Sequence, residues 1–146
     1  MSGIVVGLDG SGHSQRALEW AMKEAAIRHA PLTVLTVHEA MKGYYSTVTV
    51  FPDDPAQTEE VRTAVQAETD KVLAGLDGPH PDSVTVKAVH GFPVEELINA
   101  SQDADMIVLG SRGAGGFTRL MMGSVSSQVT QHARGPVLIV PPEDRG

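Results

Sequence analysis

Met106-Ile107-Val108-Leu109-Gly110-Ser111-Arg112-Gly113-Ala114-Gly115-Gly116, running on to Gly123-Ser124-Val125-Ser126, is the stretch whose reading decides the fold. It opens with an apolar run of strand length, apolar on both faces, as a central strand of a parallel sheet must be. A loop spaced Gly-x2-Gly-x9-Gly-Ser follows, and then Val125, Val129 and Ala133 recur at helical intervals. Glycines let a ligand come close to the main chain, and the first N–H groups of a helix point outward unpaired with partial positive charge. Strand, glycine-rich loop and helix start therefore make an anion site suited to phosphate. Ser124 and Ser126 add hydroxyl donors, and Arg112 and Arg119 supply cations.

Working outward, four more β-branched-rich runs have strand length: Ile4–Leu8, Leu32–Val37, Val84–Val89 and Val137–Val140. Helical period fills the gaps between them. Ala17, Leu18, Ala21, Met22 and Ala25 predict a helix over 12–30 with Ser11 or Ser14 as cap, and Val61, Ala64, Val65, Val72, Leu73 and Leu76 a second. Val94, Leu97 and Ile98 behind Pro93 predict a third, and the helix after Gly123 is the fourth. Strands alternating with helices predict a single doubly wound α/β domain over residues 1–146, a five-stranded parallel sheet with helices on both faces. Residues 84–89 alternate apolar and polar, which predicts an edge strand. Ligands of such sheets lie beyond the carboxyl ends of the strands, so the loops after Leu8 and Leu109 are the place for a site. From His38 to Ala56 no period holds, and the stretch reads as an irregular lid, binding loop or flap whose Tyr44, Tyr45 and Phe51 pack it back onto the body, with partner contact and ligand cover as the alternatives.

Composition narrows the function. A net charge of −7 provides no basic footprint for nucleic acid or an anionic membrane. The absence of cysteine removes disulfides, thiolate metal sites and thiol nucleophiles. No apolar run is long enough to span a bilayer, and the start Met1-Ser2-Gly3-Ile4 lacks a charged leader, so the expected location is the cytoplasm. No Gly-Lys pair marks a Walker loop, and no Gly-x-Gly-x-x-Gly follows the first strand, so P-loop hydrolysis and hydride transfer lose their main support. Gly-x-Ser-x-Gly is absent, and no catalytic residue is assigned. His13, His29, His38, His80, His90 and His132 show no metal-ligand spacing; they read as scattered surface imidazoles, with His13 alone close enough to the first loop to meet a ligand, and no metal site is assigned.

The strand Ile4–Asp9 with Asp9-Gly10-Ser11 at its end, the Gly110-x2-Gly113-x9-Gly123-Ser124 loop, and the closing Gly135-Pro136-Val137-Leu138-Ile139-Val140 together resemble the universal stress protein family in its ATP-binding branch. The resemblance implies the strand order 3-2-1-4-5. It implies that Asp9 lies near the ribose or a phosphate-bound Mg²⁺, with Gly7, Gly10 and Ser11 around it, and that the main chain of Val37 reads the adenine edge. Gly110, Ser111, Arg112 and Gly113 would wrap the ribose and first phosphates, Gly123, Ser124, Val125 and Ser126 the terminal ones, with Ala114, Gly115 and Gly116 as neighbours. The family order also puts Val137, Leu138, Ile139 and Val140 at a sheet edge. An apolar edge strand needs a cover, and a second copy is the natural one, with Pro141-Pro142 ending the ladder. The expectation is a homodimeric, ATP-binding stress-response regulator that acts on a protein partner through binding. The alternatives are slow ATP hydrolysis or phosphotransfer, and an adenine nucleotide other than ATP, such as a cyclic one.

Overall fold

The computed structural model describes residues 3–8, 12–39, 41–44, 47–50, 52–111 and 124–141. In chain order the elements are β1 (Ile4–Leu8), α1 (Gly12–Arg28), β2 (Leu32–Glu39), β3 (Met41–Tyr44), β4 (Thr47–Val50), α2 (Pro55–Ala74), β5 (Val84–Gly91), α3 (Pro93–Ser101), β6 (Met106–Gly110), α4 (Ser124–His132) and β7 (Val137–Val140). The main sheet is five-stranded in the order β5-β2-β1-β6-β7, every pairing parallel. Counted along the main sheet alone, that is the order 3-2-1-4-5, with Val84–Gly91 at one edge as its alternation predicts.

The two faces of the sheet carry separate cores. Ile4, Val6 and Leu8 of β1 pack with Ala17, Leu18, Ala21, Met22 and Ala25 of α1 and with Val65 of α2. Alanines on that stripe let α1 lie close to the strands, and the fully buried Leu18 and Met22 fill the space between. On the other face Val5, Leu35, Ile107 and Leu109 meet Leu97 of α3 and Val129 of α4. β1 and β6 are thus buried from both sides, which is why they read as unbroken apolar runs.

Local chemistry sets the ends of the elements. Gly3 enters β1 at φ 85°, and a Cβ there would run into the carbonyl oxygen of Pro31, which instead accepts the Ile4 N–H at 2.9 Å. α1 stops at Arg28, two residues short of the sequence reading, because His29 turns into the left-handed region at φ 53° and Ala30 N–H closes back on the Ala25 carbonyl at 2.9 Å. Ser14, one of its two candidate caps, is a buried residue inside the helix. α2 opens on Asp54, whose carboxylate accepts from Ala56 N–H at 3.1 Å, with Pro55 in its first turn. Farther along α2, Arg62 donates to Glu59 at 2.7 Å, and this bond holds the exposed Glu59 carboxyl below its ordinary range.

Between His38 and Ala56 most of the described residues lie in regular structure: 38–39 end β2, and 41–44 and 47–50 are strands. β2 continues through His38 and Glu39 because β5 offers His90 and Gly91 as ladder partners. β3 and β4 then pair as an antiparallel hairpin, Met41 opposite Val50 and Tyr44 opposite Thr47. Thr47-Val48-Thr49-Val50 does alternate, over only four residues, whereas Met41-Lys42-Gly43-Tyr44 does not, and its pairing with Thr47–Val50 is what makes it a strand. Tyr45 and Phe51 lie outside the described residues.

Candidate functional site

β1 and β6 are neighbours, with Ile4 beside Met106 and Val6 beside Val108. Each leads at its carboxyl end into a segment that returns as a helix, β1 into α1 on one face and β6 into α4 on the other. Since both crossovers join parallel strands, the N-termini of α1 and α4 stand at the same rim. The two loops singled out from sequence therefore leave from adjacent strands and feed helix starts on either side of the sheet, the arrangement that concentrates unpaired N–H groups around an anion.

Gly110 closes β6 opposite Val140, and Ser111 donates its N–H to the Val140 carbonyl at 3.0 Å, so the start of the glycine-rich loop is anchored on β7. Ser124 is exposed at the first position of α4, whereas Ser126 is buried, and Val125 packs into the α3–α4 core. Of these two hydroxyls, Ser124 stands at the open end. Arg16 of α1, to which no sequence motif points, donates from Nη1 to the carbonyl of Pro141 at 3.0 Å. The end of β7 is thus tied both to α1 and to the start of the loop after β6. Chain distance hides such a bond; the topology alone brings residue 16 to residue 141.

Gly7 sits next to the end of β1, where an added Cβ would come within 2.8 Å of Leu109 Cδ2 and 3.0 Å of Leu97 Cδ2. The missing side chain is occupied by leucines, so Gly7 lets α3 close on the sheet, and only its main chain is left for a ligand. Val37 is half-buried in the α3-side core and pairs with Val89, but it does not end β2, which runs on to Glu39. Asp9, Gly10, Ser11, Arg112, Gly113, Ala114, Gly115, Gly116, Arg119 and Gly123 lie outside the described residues, as does the side chain of His13.

Two histidines are not scattered. His38 and His90 stand side by side in the β2–β5 ladder with ring centroids 5.3 Å apart. A signal was present in the sequence, since both strands carry Val-His near their ends, Val37-His38 and Val89-His90; using it requires knowing that the two strands pair in register.

β7 contributes to both cores, Leu138 and Val140 on the α1 side and Val137 and Ile139 on the other. The first three of the strand's residues are only half-buried, and β6 is its single ladder partner among the described residues. No helix among the described residues is long and apolar enough to cross a membrane.

The universal stress protein family model matches residues 1–141. A universal stress protein of Mycolicibacterium smegmatis is 32% identical over 150 residues, which is 98% of this chain and 49% of that protein. The chain spans about half the length of the curated relatives it matches. Among solved structures, universal stress protein UspA from Lactobacillus plantarum superposes with a TM-score of 0.68 at 23% identity, covering 94% of this chain and 95% of that one. A universal stress protein from Archaeoglobus fulgidus, solved in complex with dAMP, has a TM-score of 0.57 at 26% identity, covering 94% and 95%. With its fold, its strand order and this family match in agreement, the chain belongs to the universal stress protein family.

Proposed function

We propose that this chain binds an adenine nucleotide across the carboxyl ends of β1, β2 and β6. The observation that carries the reading is the rim itself: the segments after β1 and β6 leave from adjacent strands, and α1 and α4 start beside them on opposite faces. Glycine-rich chain between β6 and Ser124 suits phosphate, and the dAMP complex of the Archaeoglobus fulgidus protein supports adenine as the base. In this reading Asp9 holds the ribose or a phosphate-bound Mg²⁺, the main chain of Val37 meets the adenine edge, and Gly110–Gly113 with Gly123–Ser126 wrap the phosphates of ATP. Mg²⁺ would take oxygen from phosphate and carboxylate, donors that Asp9 and a triphosphate supply together.

The output is binding rather than turnover. Occupancy changes the surface seen by a regulatory protein partner in the cytoplasm, and two copies pair through the outer edges of β7. The half-buried apolar side chains of that strand support the pairing. A monophosphate or cyclic nucleotide is the second reading, and the dAMP complex favours the monophosphate.

The test is to purify the chain without added nucleotide, denature it, identify any released small molecule by mass spectrometry, and titrate the emptied protein with ATP and Mg²⁺, with dAMP and with cyclic AMP. ATP as the tightest ligand supports the triphosphate reading, and dAMP or cyclic AMP as the tightest replaces it with the second. Binding of none of them refutes the nucleotide site. Gly113→Ala should abolish binding while the circular dichroism spectrum is kept; full affinity in this variant would remove the loop from the site.

A further inference from the structure

Arg16 stands near the start of α1 and is half-buried, yet it forms no ion pair among the described residues. A carboxylate is within its reach along the helix, since Glu19 lies three residues on, the spacing at which Glu59 holds Arg62. Glu19 instead pairs with Lys23 at 3.3 Å, and Arg16 turns toward the rim, where Nη1 donates to the Pro141 carbonyl at 3.0 Å.

That carbonyl fixes where the guanidinium is. Pro141 follows Val140 directly, with consecutive Cα atoms about 3.8 Å apart, and the Val140 carbonyl accepts the Ser111 N–H at 3.0 Å. A cation of α1 is thus held beside the first residues of the glycine-rich segment, although α1 packs on one face of the sheet and α4 on the other. A guanidinium carries several N–H donors in a fixed fork and matches phosphate oxygens two at a time. One bond to a neutral carbonyl leaves its charge uncompensated, and taking a charge out of water is costly unless it is paired.

The helix starts point the same way. α3 carries Glu95 and Glu96 in its first turn and α2 opens on Asp54, acids that offset the positive end of each helix. α1 and α4, the two helices that begin beside the candidate site, have no acidic residue in their first turns. In a chain of net charge −7 these two ends stay positive, and Arg16 adds to one of them.

We propose that Arg16 is a phosphate-binding residue of the nucleotide site, its remaining N–H groups donating to phosphate oxygens where the chain leaves β6 while Nη1 keeps the Pro141 carbonyl. Resting on the nucleotide reading, this role makes a contact that selects for charge: Arg16 favours ATP over adenosine, which has the same base and ribose and no phosphate.

The test is calorimetric titration of the full chain and of Arg16→Gln with ATP and Mg²⁺ and with adenosine. Arg16→Gln should lose about tenfold or more in ATP affinity, as for a hydrogen bond to a charged group, and keep the adenosine affinity of the parent. Arg16→Lys, which retains the charge without the fork, should fall between. Where adenosine is too weak to titrate, the fall of ATP affinity with added salt takes its place, and it should be shallower in Arg16→Gln than in the parent. Equal loss for both ligands, or an unchanged salt dependence, means that Arg16 only props the end of β7. Unchanged ATP affinity means that a carboxylate of the chain itself neutralises it. Either result overturns the assignment and leaves the nucleotide site standing, whereas a parent chain that binds neither ligand removes both. If Arg16→Gln fails to fold, side-chain ¹H–¹⁵N spectra of the parent decide: the Arg16 Nε–H resonance should shift with ATP and not with adenosine, and a shift with both or with neither refutes the contact.

Discussion

At the scale of single residues, Ser101 shows how much one hydroxyl can organise. Buried at the end of α3, it donates to the Ile98 carbonyl at 2.6 Å and accepts the Arg134 N–H at 2.9 Å, joining α3 to the chain that enters β7. Ser101→Ala should cost about 1–3 kcal/mol by leaving the Arg134 N–H unsatisfied, read as a lower urea midpoint at unchanged slope. Gly7 is a second case. The sequence places it beside the candidate pocket, whereas the structure fills its side-chain position with Leu97 and Leu109. Gly7→Val should destabilise by about 1–3 kcal/mol through overpacking; an unchanged unfolding midpoint would contradict this. Nothing in the neighbourhood of Gly7 along the chain distinguishes a packing glycine from a ligand-facing one, because the leucines that press on it are about ninety to a hundred residues away in sequence.

At the scale of elements, legibility follows length and burial. β1 and β6, enclosed on both faces, read as unbroken apolar runs, and β5 at the edge alternates, so the pattern of each strand reports how deeply it is buried. In the β3–β4 hairpin Met41-Lys42-Gly43-Tyr44 carries no such pattern and is defined by its partner, Thr47–Val50, which does alternate. Likewise β2 is longer than its apolar run, because β5 extends beside it to Gly91. β7 is the element on which the proposed dimer depends. Ile139→Asp puts a charge on its half-buried face and should yield monomers by sedimentation velocity, with far-ultraviolet dichroism kept. A dimer that survives the substitution would move the interface elsewhere.

At the scale of the whole molecule, nucleotide binding and stability are linked. If only the folded chain binds, ligand at a hundred times its dissociation constant should add about 2.7 kcal/mol of stability, visible as a raised melting temperature with ATP and Mg²⁺ and absent with Gly113→Ala. No shift with any adenine nucleotide would count against the site. The sequence by itself determined the alternation of strands and helices, the edge character of residues 84–89, the phosphate-suited spacing after β6 and the absence of thiol chemistry, because periodicity, glycine placement and composition are written locally along the chain. Tertiary structure alone decided the contact of Arg16 with Pro141, the burial of Gly7 under two leucines, the hairpin after β2, and the meeting of His38 with His90. Each of these depends on which strand lies beside which and in what register. Pairing in a parallel sheet is a long-range choice, settled by burying both faces of the central strands at once, and no window of neighbouring residues contains it.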